Sequence, residues 1–112
     1  FMITGPGSPS VKSNMLTSIE QHVDFVADTI IYMRDRDLAV IEPEQEAEEQ
    51  WGEHVQEVAY KTLFPQANSW YMGTNIPGKP RIFMPYIAGV GVYRRICEEV
   101  AAEGYKGFCL NA

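Results

Sequence analysis

Gly5-Pro6-Gly7-Ser8-Pro9-Ser10, followed shortly by Met15-Leu16-Thr17-Ser18-Ile19-Glu20-Gln21-His22-Val23, sets a glycine-proline turn just ahead of a helix start. Leu16, Ile19, Val23, Val26, Ile30 and Met33 recur at intervals of three and four, the period of one helix face. That spacing predicts a helix over about 14–36, capped by Ser13 or Asn14, with Arg34 and Arg36 where a cation suits the helix dipole. Upstream of the turn, Phe1 to Thr4 reads as the apolar end of a strand, so the sequence opens inside an element.

Downstream, Ala39-Val40-Ile41 is a short strand that stops at Pro43, which has no ladder donor. A second helix is expected from Glu44 to about Leu63, with Ala47, Trp51, Val55, Val58 and Ala59 on one side. Phe64 to Tyr86 has no helical period and is broken by Pro65, Gly73, Pro77, Gly78, Pro80 and Pro85, yet it carries Trp70, Tyr71, Met72, Ile82, Phe83 and Met84. A third helix is expected from about Val90 to Glu103, striped by Val92, Tyr93, Ile96, Cys97 and Val100 and ended by Gly104. Tyr105 to Leu110 closes the chain as a strand or extended tail. The fold class is therefore α/β and helix-rich, with three main helices, short strands and one long loop.

At 112 residues the chain holds one small domain or part of one. Its net charge of -6 argues against nucleic acid or anionic lipid as a partner, because both need clustered Lys and Arg. No run approaches the roughly 20 apolar residues of a membrane span, and Phe1 to Thr4 is too short for a secretory signal, so the expected location is the cytoplasm. Cys97 and Cys109 are too few and too far apart for a disulfide framework or a zinc site and read as reduced structural thiols. No metal site is expected. His22 and His54 read as surface residues. Glu44, Glu46, Glu48, Glu49 and Glu53 crowd a solvated helix start with no apolar pocket to raise a carboxyl pKa, and no nucleophile motif is present, so no catalytic residue is assigned.

Two features resist a purely structural reading. A glycine-proline turn feeding a helix presents free backbone N–H groups and a positive dipole end, where an anionic ligand group can sit. The Trp70 segment is either a mobile lid over a ligand or an irregular stretch packed on the core, and on the residues alone packing is the better reading.

The turn Gly5 to Ser10, then Ser13-Asn14-Met15-Leu16 and Ser18 to Val23, then Ser69-Trp70-Tyr71-Met72-Gly73-Thr74-Asn75-Ile76-Pro77-Gly78-Lys79-Pro80, resemble the C-terminal part of Baeyer-Villiger monooxygenases. The branch with the phenylacetone and steroid monooxygenases looks most alike, and Thr62-Leu63-Phe64-Pro65 and Gly104 to Phe108 extend the likeness over nearly the whole chain. The resemblance implies a parent that uses FAD and NADPH to insert an oxygen atom beside a ketone carbonyl, giving an ester or lactone. It implies that this chain is the C-terminal portion of the FAD-binding domain of a flavoprotein with two dinucleotide-binding domains. Residues 1–12 would be a strand and active-site turn, 13–63 a helical region, 64–86 a loop that clamps NADP, and 87–112 a final helix and strand.

By the same resemblance Ser10, Val11, Lys12 and Met15 line the substrate pocket, Gly7, Asn14 and Met15 lie on the FAD side, and Trp70, Asn75 and Lys79 contact NADP. Lys12 departs from the apolar residue usual at its position. The expected partners are the remainder of the monooxygenase chain and the ketone, and the chain alone should self-associate through apolar surface meant for that remainder. The rival reading is a non-enzymatic small helical binding module derived from such an oxygenase. The family's two Gly-x-Gly-x-x-Gly fingerprints have no counterpart here, and those motifs grip the pyrophosphates. The 112-residue chain alone is therefore expected to bind neither FAD nor NADPH usefully, and fluorescence quenching that gave micromolar FAD binding would overturn this.

Overall fold

The computed structural model describes residues 1–10 and 12–112. In chain order it has helix α1 (Met15–Arg34), strand β1 (Val40–Pro43), helix α2 (Gln45–Tyr60), single 3-10 turns at Phe64–Gln66 and Trp70–Met72, helix α3 (Val90–Ala102) and strand β2 (Phe108–Asn111). All three predicted helices are present, each ending within a few residues of its expected limits. Asn14, not Ser13, caps α1, its side chain accepting the Leu16 N–H at 2.9 Å. Beyond α3, Gly104 adopts φ 73°, and the Gly104 and Tyr105 N–H groups bond back to the Ala101 and Val100 carbonyls at 3.1 and 2.8 Å. This is a Schellman ending, and it buries Tyr105 beneath the helix.

β1 and β2 pair antiparallel, with Val40 opposite Asn111, Ile41 opposite Leu110, Glu42 opposite Cys109 and Pro43 opposite Phe108. Pro43 ends β1 from inside the ladder, tolerable because each strand of a two-stranded sheet is an edge. The closing strand starts later than Tyr105, since that residue is taken up by the helix ending.

The expected strand at Phe1 to Thr4 does not form. Ile3 and Thr4 lie in a turn, Thr4 has φ 56°, and Phe1 and Met2 are exposed. A strand needs a neighbour for its backbone donors and acceptors, and the described residues offer none there.

Ala59 of α2 packs with Met72 and Phe83 from the long loop and with Ile87 just beyond it, and Val58, Phe64 and Tyr71 flank them. Burying side chains such as Met72 and Phe83 contributes about 1.5–3 kcal/mol each, so the loop's stem is part of the core. α1 behaves differently. It packs on α3 through His22, and Phe25 and Tyr32 meet Tyr105, which buries Ser18, Gln21, His22, Thr29 and Met33. The apolar stripe predicted for the helix points mostly the other way, with Leu16 69% exposed and Ile30 52% exposed.

The helix thus covers its more polar side and leaves Leu16, Val23, Ile30 and Ile31 in solvent. Contiguous surface of this kind drives association. The isolated chain is expected to self-associate, and Val23→Lys with Ile30→Lys is expected to reduce association while shifting the melting temperature little. A clean monomer by light scattering at high concentration of the unmodified chain would count against this.

Candidate functional site

The turn that opens the sequence argument is held on three sides. Gly7 has φ 77°, and a Cβ placed there would lie 2.8 Å from Nε1 of Trp51 on α2, so backbone and indole meet as closely as glycine permits. Ser8 Oγ donates to the Gly5 carbonyl at 2.6 Å, and Ser8 and Pro9 are buried. The third restraint comes from the far end of the long loop. Gly7 N–H donates to the Met84 carbonyl at 2.8 Å, Tyr86 N–H donates to the Ser8 carbonyl at 3.0 Å, and Pro9 and Tyr86 form a parallel bridge.

α2 also grips that end of the loop. The Gln56 side chain donates through Nε2 to the Phe83 carbonyl at 2.7 Å and accepts the Phe83 N–H through Oε1 at 2.9 Å. His54 Nε2 lies 3.1 Å from the Tyr86 hydroxyl, and the rings of Trp51, His54, Tyr86 and Tyr93 pack together. These contacts leave no local mark in the sequence. Gln56 sits in a charged helix 27 residues from Phe83, and no local pattern marks a glutamine whose partner is that distant.

The loop is packed at its stem and exposed at its bend. Met72 and Phe83 are buried, while Trp70 is 68% exposed, its ring against Tyr71 at 4.0 Å between centroids. Ser69 fixes the bend by accepting the Tyr71 N–H on its hydroxyl and the Thr74 hydroxyl on its carbonyl, with Gly73 at φ 68°. Pro77 and Gly78, the latter at φ 81°, carry a tight turn from Ile76 to Lys79. Arg81 ties the loop's two limbs by donating to the Pro65 and Ala67 carbonyls at 3.4 and 3.1 Å.

Of the residues predicted for the site, Gly7 is locked against Trp51, and Ser10 is half-buried. Lys12, Asn14 and Met15 are exposed around the start of α1, and Val11 lies outside the described residues. Trp70, Asn75 and Lys79 are exposed on the loop. The structure joins the turn to the loop's stem, but no hydrogen bond among the described residues links the side chains of Trp70, Asn75 or Lys79 to the turn. A cleft of about 310 Å³ does open elsewhere, among Phe25, Trp51, Tyr93, Ile96, Cys97 and Phe108, and it includes none of the predicted site residues. The described residues predicted for the substrate pocket, Ser10, Lys12 and Met15, lie at the surface and line neither this cleft nor any other found among the described residues.

Both cysteines are free thiols, Cys97 buried, where burial pushes its pKa up, and Cys109 exposed. Among the described residues no three His, Cys, Asp or Glu side chains stand together as metal ligands, and no helix is long and apolar enough to cross a membrane.

No family model matches the chain. Acetone monooxygenase (methyl acetate-forming) from Gordonia sp. (strain TY-5) is 44% identical over 107 residues, 95% of this chain and 20% of that protein. A Baeyer-Villiger monooxygenase from Pseudooceanicola batsensis is 45% identical over 105 residues, 94% of this chain and 19% of that protein. The solved structure of oxidized steroid monooxygenase bound to NADP superposes with a TM-score of 0.87 at 49% identity, over 97% of this chain and 20% of that one. The relatives that the chain matches thus include Baeyer-Villiger monooxygenases. It spans about a fifth of the length of the curated relatives it matches. The resemblance read from the turn and the Trp70 loop is thereby borne out, and the three helices with their small sheet match a corresponding piece of a flavin monooxygenase structure.

One residue of the chain contradicts its sequence reading. His22 is not on the surface but 5% exposed, packed edge-on to Tyr93. Its Nδ1 accepts the Thr4 N–H at 3.1 Å, so the neutral ring carries its proton on Nε2, which is buried without a partner. Burial lowers the His22 pKa. The unfolded chain, with an ordinary imidazole near pH 6.5, then binds the proton more readily than the fold does. The histidine's contribution to stability is thus complete above the unfolded value and declines as pH falls toward the lowered one. Melts between pH 7 and pH 5 are expected to show a shallower loss of stability in His22→Asn than in the unmodified chain. Equal slopes would contradict the assignment.

Proposed function

We propose that this chain is the C-terminal portion of the FAD-binding domain of an NADPH- and FAD-dependent Baeyer-Villiger monooxygenase, which inserts an oxygen atom beside a ketone carbonyl to give an ester or lactone. The observation that carries this is identity of 44–49% to such enzymes over nearly the whole chain, at about a fifth of their length. The exposure of Lys12, Asn14 and Met15 around the start of α1 is in keeping with this, since such residues can meet a further part of a longer protein. A self-sufficient helical binding module is disfavoured by α1, whose apolar side has nothing to cover it.

Two features of the chain suit the cofactors. Gly7 has no room for a Cβ because the Trp51 indole lies against it, which fixes the turn beside α2 just ahead of α1. The first turn of α1 carries no acidic residue, so its positive dipole end is not cancelled and favours the electron-rich edge of a reduced flavin. Gly7, Asn14 and Met15 are assigned to the FAD side, Ser10, Val11, Lys12 and Met15 to the substrate pocket, and Trp70, Asn75 and Lys79 to NADP. When bound, FAD and NADPH supply the redox chemistry. The residues of this chain orient the ring, shape the ketone's approach and cover the nicotinamide. Asn14 already commits its side-chain oxygen to the Leu16 N–H, so what it can offer a ligand is its amide NH2.

Trp70 offers a large flat face and one N–H donor while lying in solvent, which is the profile of an anchor awaiting a ligand. In the full-length flavoenzyme, Trp70→Ala is expected to weaken NADPH binding by about 1–3 kcal/mol, roughly ten- to hundred-fold. A tryptophan needed for packing would instead cost about 3–5 kcal/mol of stability. Melting of the FAD-bound variant and its NADPH affinity separate the two. A large drop in melting temperature with normal NADPH affinity would overturn the clamp assignment.

A further inference from the structure

Every backbone bond between the Gly5–Ser10 turn and the long loop runs through residues 84–86, and the peptide just before them is held by one side chain. Phe83 is 1% exposed, and its N–H and C=O both pair with the carboxamide of Gln56. An amide side chain used in this way stands in for a neighbouring strand, satisfying both backbone groups at a point where Pro80 and Pro85 prevent a regular ladder. Next in line, Met84 N–H donates to Tyr71 C=O at 3.2 Å, Met84 C=O accepts from Gly7, and Tyr86 N–H donates to Ser8 C=O. Displacing the Phe83 peptide therefore moves the root of the Trp70 bend and the turn together.

We propose that Gln56 is a positioning residue: its carboxamide holds the Phe83 peptide so that the stem of the Trp70 loop and the Gly7–Pro9 turn form one mechanical unit. A state of the loop, open or closed over a ligand, is then transmitted to the turn. The link to catalysis rests on the assignment of Trp70 to NADP and of the turn to the substrate pocket. The link between turn and stem does not.

Two variants of the full-length, FAD-loaded enzyme test this. Gln56→Met keeps the length and removes both hydrogen bonds. Gln56→Glu keeps the acceptor for Phe83 N–H, but its carboxylate faces the Phe83 carbonyl and regains a donor only when protonated. In Gln56→Met, hydrogen exchange is expected to quicken at least about tenfold in both 82–87 and 5–9, where the Tyr86 and Gly7 amides report the link. The KM for NADPH is expected to rise by about 3- to 30-fold with kcat changed less than about twofold. In Gln56→Glu the KM defect is expected to shrink as pH falls, a dependence that Gln56→Met lacks and that general loss of packing does not produce.

Faster exchange confined to 82–87, with 5–9 unchanged, would overturn the proposal, as would a Gln56→Glu defect that ignores pH. Faster exchange in both segments with an unaltered KM, together with a neutral Trp70→Ala, would support the mechanical unit and instead overturn the assignment of the loop to NADP.

Discussion

The segment from Phe64 to Tyr86 needs partners for its buried backbone groups and cannot find them in itself. Proline and glycine deny it both helix and sheet, yet Met72, Phe83, Pro85 and Tyr86 are buried within it. An unpaired buried peptide group costs about 1–3 kcal/mol. The partners come from a side chain of α2 and from the backbone of the opening turn, so helix, loop and turn have to be placed together. Gly7 completes the constraint: the turn reaches the loop only by passing over Trp51, and no residue with a Cβ fits there.

α1 shows how a segment can be well folded and still incomplete. Its ends are capped, its hydrogen bonds are regular, and it packs firmly on α3 through a mainly polar side. The side rich in Leu, Val and Ile is left over. The relatives that the chain matches are about five times longer, and on the proposed reading this leftover side of α1 is what would meet the rest of such a protein.

Much of this was legible in sequence because helices announce themselves locally. The three-and-four spacing, an Asn at the cap and a Gly past the end located all three helices. What spacing does not report is which side of a helix meets which neighbour, and α1 shows the consequence. Phe1 to Thr4 failed for a related reason, since strand propensity is conditional on a partner that periodicity does not supply. His22 was misplaced because a histidine flanked by Gln21 and Asp24 looks solvated until α3 and Thr4 close over it. The turn and the Trp70 loop stood out on their residues alone, as a glycine-proline turn feeding a helix and a long apolar loop, and resemblance then supplied the roles proposed for them. Gln56 and the Met84–Tyr86 stem were missed by every local criterion, because their meaning lies in contacts formed across the fold.

The pairing of β1 with β2 also sets a timetable. β1 is finished when Pro43 is added, but its partner begins only at Phe108. At synthesis rates of about 5–20 residues per second, the first strand waits roughly 3 to 13 seconds for the second. During that interval Val40 and Ile41 form a nascent edge on a chain still leaving the ribosome. Glu42 and Pro43, a charge and a residue without a donor, stand at the end of that edge, where each discourages pairing with a neighbouring nascent chain.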